Sequence, residues 1–229
     1  MRTLTILAVL VSPASGAVQS DKFDERLQEC GTVIQEVLDM PESIPSDLLD
    51  RAECVLVMPS VKRFALGIGG SYGAGVMVCR SGEEFRGPWG SPALYRLDGA
   101  SIGFQIGGQA TDFIFLVMNR RGASALLSSN VKLGIDVSAA AGPKGRATGA
   151  ATDASMRAEI LTYSRSRGLF AGVSLQGSSV RPDNSANNDV YGREVSARDI
   201  VLGSEVASPA AASKLIEALQ DASPKNLSE

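Results

Sequence analysis

Tyr163, Ser164, Arg165, Ser166 and Arg167 place three hydroxyls and two guanidiniums in five consecutive residues. Guanidinium grips phosphate or carboxylate through paired hydrogen bonds, so the chemistry on offer is anion recognition. In an extended backbone alternate side chains share a face, which groups Tyr163, Arg165 and Arg167. Nucleophilic catalysis is not suggested. The sequence contains no histidine, which removes Ser-His-Asp and Cys-His sites, histidine zinc sites and imidazole proton shuttles. No pair of carboxylates has a spacing that suggests acid–base work. The expectation is a protein that is not an enzyme and uses no cofactor.

Other cations extend the anion-binding set. Lys62 and Arg63 are adjacent, and Lys144 and Arg146 lie in a segment of small residues. With Arg165 and Arg167 they form the candidate anion-binding group, the one that would meet lipid headgroups if the partner is a membrane. Near an anionic bilayer each basic residue contributes roughly 1 kcal/mol, so several together hold a protein reversibly. Taken singly, each also fits an ordinary solvated surface charge. Phe64 and Trp89 are candidates for apolar insertion, although a Trp in a loop also fits a ring packed beneath it. The net charge of −3 argues against a nucleic-acid partner but leaves room for a local basic patch.

Glycine-rich stretches do not supply a nucleotide site. In Gly67-Ile68-Gly69-Gly70-Ser71-Tyr72 the sixth position is Tyr72, where a dinucleotide fingerprint needs glycine. Gly142-Pro143-Lys144-Gly145 is followed by Arg146-Ala147 rather than the Lys-Ser or Lys-Thr of a phosphate loop.

The elements that must position these residues read as one domain. Hydrophobic residues are 44% and charged ones 21% of 229 residues, enough apolar material for a single sizeable core. Residues 1–17 read as a signal peptide: Arg2, an apolar run from Leu4 to Val11, and small residues up to Ala17. The expected location is therefore exported, periplasmic or extracellular, with 18–229 as the mature domain and its core at 52–220. Residues 21–39 carry Phe23, Leu27, Cys30, Ile34, Val37 and Leu38 at helical spacing, opposite an acidic face. Pro41 stops that helix. Short strands are expected at Cys54–Met58 (ended by Pro59), Arg63–Ile68, Tyr72–Arg80, Ala100–Gly107, Asp112–Met118 and Leu133–Ala141. A hairpin is expected within Leu161–Gly177, turning at Gly168. A helix is expected near Gly122–Ser128, polar turn material at Asn184–Asn188, and a last helix over Pro209–Leu219. The fold class is α+β: a strongly twisted antiparallel sheet of six or more strands, able to curl toward a barrel, flanked by N- and C-terminal helices.

Three cysteines leave an odd thiol in an oxidising compartment. Cys54 and Cys79 lie in nearby strand-like runs and are the favoured pair for a disulfide, with three buried thiols as the alternative.

The run from Tyr163 to Leu175 resembles the signature of the SYLF domain family. Pro59-Ser60-Val61-Lys62-Arg63, Gly69-Gly70-Ser71-Tyr72-Gly73, Ser101 to Gly107, Leu133-Gly134, Ala141-Gly142-Pro143 and Tyr191-Gly192 extend the resemblance over most of the chain. The chain looks like the exported, single-domain bacterial branch. The resemblance implies binding to an anionic phospholipid membrane, phosphoinositides included, and an actin partner by analogy with fungal members. The alternative is a structural or protein-interaction module of the cell envelope.

Overall fold

The computed structural model describes residues 15–41, 43–128, 130–143, 157–166, 169–172, 175, 177–203 and 206–228. Helix α1 spans Ser15–Leu38 and α2 spans Ser46–Asp50. Two long strands follow, β1 over Cys54–Cys79 and β2 over Ala93–Val117. Next come α3 (Arg120–Ser128), β3 (Val131–Lys132), β4 (Ala139–Ala141), β5 (Ile160–Ser166), β6 (Leu169–Gly172) and β7 (Ser179–Pro182). Helices α4 (Asn184–Tyr191), α5 (Ala197–Leu202) and α6 (Ser213–Ala222) complete the order, the last preceded by a 3-10 turn at Ala210–Ala212.

The described strands form one seven-stranded sheet. β1 pairs with β2 along nearly its whole length, and β2 also pairs with β7 at one end and β5 at the other. Every named pairing is antiparallel except β4 with β5, which is parallel. The architecture is α+β, with a curled sheet between N- and C-terminal helices.

The curl comes from β1 doubling back on itself. Arg80 N–H donates to Glu53 O at 2.9 Å, and Cys54 and Cys79 are joined by a disulfide with Cα atoms 3.9 Å apart. A Cβ on Gly73 would sit 2.6 Å from Val61 Cγ2, and one on Gly75 would overlap the Val57 carbonyl oxygen. The two halves of β1 lie against each other there because glycine lets the backbones approach.

Alternation along the strands builds a core on each face of the sheet. Cys54, Leu56 and Met58 join Phe113, Phe115 and Val117 on the inner face, closed by Leu126 of α3 and Ile200 of α5. Val55, Val57, Ile114 and Leu116 point outward against Leu27, Cys30 and Ile34 of α1 and Leu215 and Leu219 of α6. The end of β2 is therefore buried on both sides, as its unbroken apolar run implies. The apolar spacing of α1 buries Phe23, Leu27, Cys30, Ile34 and Val37. Cys30 remains a free thiol, its S–H donating to Val57 O at 3.6 Å, and burial pushes its pKa up.

Several elements differ from the sequence expectation, each for a local reason. Pro59 does not end a strand. The ladder passes from Met58↔Phe113 to Val61↔Thr111, so Pro59 and Ser60 stand opposite the single residue Asp112. That is a β-bulge, where a proline costs no ladder hydrogen bond. The two short strands expected on either side of 108–111 are likewise one strand, β2. Leu133–Ala141 is broken by a tight turn: Gly134 has φ 80° and Asp136 N–H donates to Lys132 O at 2.9 Å. Asn184–Asn188 is helical because the Asp183 carboxylate caps it, accepting from Ala186 N–H at 3.3 Å, and Gly192 ends it at φ 64°. The last helix begins later than expected, because Pro209–Ala212 first makes the 3-10 turn.

Candidate functional site

The bulge at Pro59–Ser60 organises the polar end of the sheet. Ser60 has φ 49°, and its N–H leaves the ladder to donate to Asp112 Oδ1 at 2.8 Å. Its hydroxyl donates to Glu29 Oε1 on α1 at 3.2 Å. Asp112 stands opposite Arg165 in the β2–β5 ladder. Arg165 Nε and Nη2 donate to Asp112 Oδ2 at 2.9 and 2.7 Å, and Nη1 donates to Glu36 Oε2 on α1. Three elements, α1, β2 and β5, meet on this one guanidinium. Burial works against its charge, but the hydrogen bonds it donates to Glu36 and Asp112 more than compensate and hold its pKa above the usual value.

Lys62 and Arg63 follow the bulge directly and both are exposed. As neighbours on a strand they point to opposite faces of the sheet. The Arg63 guanidinium lies 4.9 Å from the centroid of the Phe113 ring, on the inner side, a cation–π contact. Partial burial there lowers its pKa. Among the described residues neither Lys62 nor Arg63 is ion-paired, in contrast to Arg165.

The six sequence candidates therefore divide. Lys62, Arg63 and Arg165 lie at one end of the sheet, with Arg165 committed to two carboxylates. Lys144, Arg146 and Arg167 lie outside the described residues. The Phe64 side chain is also outside them. Trp89 is buried, and its indole N–H donates to Ser223 O at 3.0 Å; the ring is packed under a loop, not offered for insertion. Asp112, Glu36 and Ser60 complete the site and were not legible as partners. The acidic face of α1 was the only signal for Glu36, and nothing in the spacing joins Asp112 to a residue 53 positions away.

Comparison with known proteins places these features. The family model described as Ysc84, Las17-binding protein actin regulator, matches residues 98–222, from β2 to the end of α6. The LAS seventeen-binding protein 3 of Saccharomyces cerevisiae is 34% identical over 189 residues, 81% of this chain and 40% of that protein. Protein YSC84 of the same organism is 32% identical over 188 residues, 81% of this chain and 39% of its own length. The human SH3 domain-containing YSC84-like protein 1 is 31% identical over 177 residues, 77% of this chain and 50% of that protein. This chain thus spans half or less of these relatives. The fold, the matched residues and these identities together show that the chain belongs to the Ysc84, or SYLF, family.

Proposed function

We propose that this chain is a non-catalytic binding module that adheres to anionic phospholipid surfaces, phosphoinositide-like headgroups among them, through the cations at the bulged end of the sheet. The observation that carries this reading is the pair Lys62 and Arg63: exposed, next to a fixed bulge, and without an ion-pair partner among the described residues. Lys144, Arg146 and Arg167 belong to the same proposal. Arg165 supports the site by fixing α1 and β5 around it rather than by reaching phosphate. The leader-like residues 1–17 and the Cys54–Cys79 disulfide support an exported, oxidising location.

Flotation with vesicles of phosphatidylcholine alone, or mixed with phosphatidylserine, tests the reading. Binding is expected only to the mixed vesicles and is expected to weaken with added salt, because exposed charges are screened. The double substitution Lys62→Glu with Arg63→Glu is expected to abolish flotation and to leave the circular dichroism spectrum unchanged, with only a small drop in the melt from loss of the Arg63–Phe113 contact. Undiminished flotation of that variant at low salt would remove Lys62 and Arg63 from the reading.

A protein partner is the second reading. The observations behind it are the opposed directions of Lys62 and Arg63 and the pairing of Arg165 with Glu36 and Asp112. Relatives are named for binding Las17 and for actin regulation; for an exported chain the partner would be a protein of the cell envelope.

A further inference from the structure

The end of the sheet opposite the bulge holds a second polar constellation, built on the two residues that flank the disulfide. Glu53 precedes Cys54 and Arg80 follows Cys79, and the backbone bond from Arg80 N–H to Glu53 O ties them together. Both side chains are buried, and both grip the segment that follows α6. Arg80 Nη2 donates to Ser223 O at 3.1 Å and to the Ser223 hydroxyl. Its guanidinium stacks 4.3 Å from the Trp89 ring centroid, and the indole N–H reaches the same Ser223 carbonyl. The Glu53 carboxylate accepts from Asn226 Nδ2 at 2.9 Å and from the Ser228 hydroxyl at 3.0 Å. Asn226 Nδ2 also donates to Phe85 O at 2.6 Å, and Leu227 N–H donates to Asp50 O at 2.8 Å.

Residues 223–228 thus lie across the disulfide end as a strap held by polar contacts, while the one large apolar side chain in it, Leu227, is exposed. Burying Arg80 there leaves its Nε and Nη1 without acceptors. Such a contact is poised for release, because the donors and acceptors it would uncover are ones that water satisfies.

We propose that residues 223–228 are a redox-linked strap, held down by Glu53 and Arg80 while Cys54 and Cys79 are bridged, and released when a dithiol reduces that bridge. The dithiol gives two electrons and two protons. Its two sulfurs join to each other, the Cys54–Cys79 bond breaks, and two thiols remain. The halves of β1 then lose their covalent tie at that end and are held by the Arg80–Glu53 backbone hydrogen bond and core packing, so Glu53 and Arg80 move more freely beneath the strap. The linkage is reciprocal. Both cysteines are fully buried, so attack by a thiolate requires local opening, and the strap slows it.

Trp89 is the only tryptophan in the chain and lies under the strap, so its emission reports the contact. The test compares oxidised full-length protein with the same protein reduced by dithiothreitol and alkylated, by Trp emission and far-ultraviolet circular dichroism. A red shift with unchanged secondary structure is expected. The rate of reduction of the folded, oxidised protein is then measured for the wild type and for Asn226→Ala with Ser228→Ala, which loses both contacts to Glu53. The variant is expected to be reduced about tenfold faster. An unshifted emission after reduction, a wild-type reduction rate in the variant, or loss of all secondary structure on reduction would each overturn the strap.

Discussion

Arg165 and Asp112 face each other across β5 and β2, and two guanidinium nitrogens share one carboxylate oxygen, at 2.9 and 2.7 Å. The other oxygen of Asp112 takes the N–H that the Ser60 bulge frees. One carboxylate therefore satisfies both the irregular backbone of β1 and the cation of β5. Both side chains are well shielded, 18% and 16% exposed, so removing the cation leaves a poorly solvated charge behind. Arg165→Met is expected to lower stability by about 2 kcal/mol in urea denaturation. Vesicle binding at temperatures below the melt is expected to be retained. Lost binding with unchanged stability would instead make Arg165 a direct contact.

Gly75→Ala tests the folded-back ribbon. The added methyl would overlap the Val57 carbonyl oxygen and crowd Met58, and both belong to backbone or core that has little room to move. A loss of about 3 kcal/mol is expected. A variant as stable as the wild type would mean that the halves of β1 do not approach so closely.

Leu215 of α6 is fully buried among α1 residues. Leu215→Ala is expected to cost about 3 kcal/mol, read from the chemical midpoint at constant slope. The loss should be partly recovered in no surface variant of α1, since the term is a cavity and not a charge.

Glu53 gives a pH dependence with a defined sign. Burial raises its pKa above the ordinary 4.5, while the hydrogen bonds from Ser228 and Asn226 and the nearby Arg120 and Arg80 charges oppose the rise. A carboxyl that binds its proton more tightly when folded stabilises the fold more at low pH. Relative to Glu53→Gln, the wild type is therefore expected to lose stability as pH rises from 4.5 through the raised folded value. Melts of both proteins at stepped pH check this, and a difference that grows in the other direction would place the carboxyl in a better-solvated setting.

The α1 face and the two-sided burial of β2 were legible because each rests on a period within one element: Leu27, Cys30 and Ile34, or the run from Phe113 to Val117. The bulge was not, because Pro59 reads locally as a stop and becomes part of a strand only when Asp112 takes up the Ser60 N–H. Asn184–Tyr191 was hidden in the same way; its polar composition suits a turn, and the Asp183 cap decides for a helix. At the candidate site the cations were legible as residue types. That Arg165 is neutralised by Glu36 and Asp112 depends on three elements meeting, which spacing along one of them does not encode. Glu53 and Arg80 were missed for a related reason: each looks ordinary until the ribbon brings their neighbours Cys54 and Cys79 together.

The bridge between Cys54 and Cys79 also makes the 26-residue ribbon a covalent ring threaded into a linear chain, a lariat with two tails. A protease that cuts anywhere inside the ring nicks the molecule without dividing it: one band on a gel without reductant, two fragments with it. The same closure suits grafting. A foreign peptide set between the two cysteines would be anchored at both ends by the one bond, so the remainder of the molecule is insulated from the guest's own tendency to fold or fray.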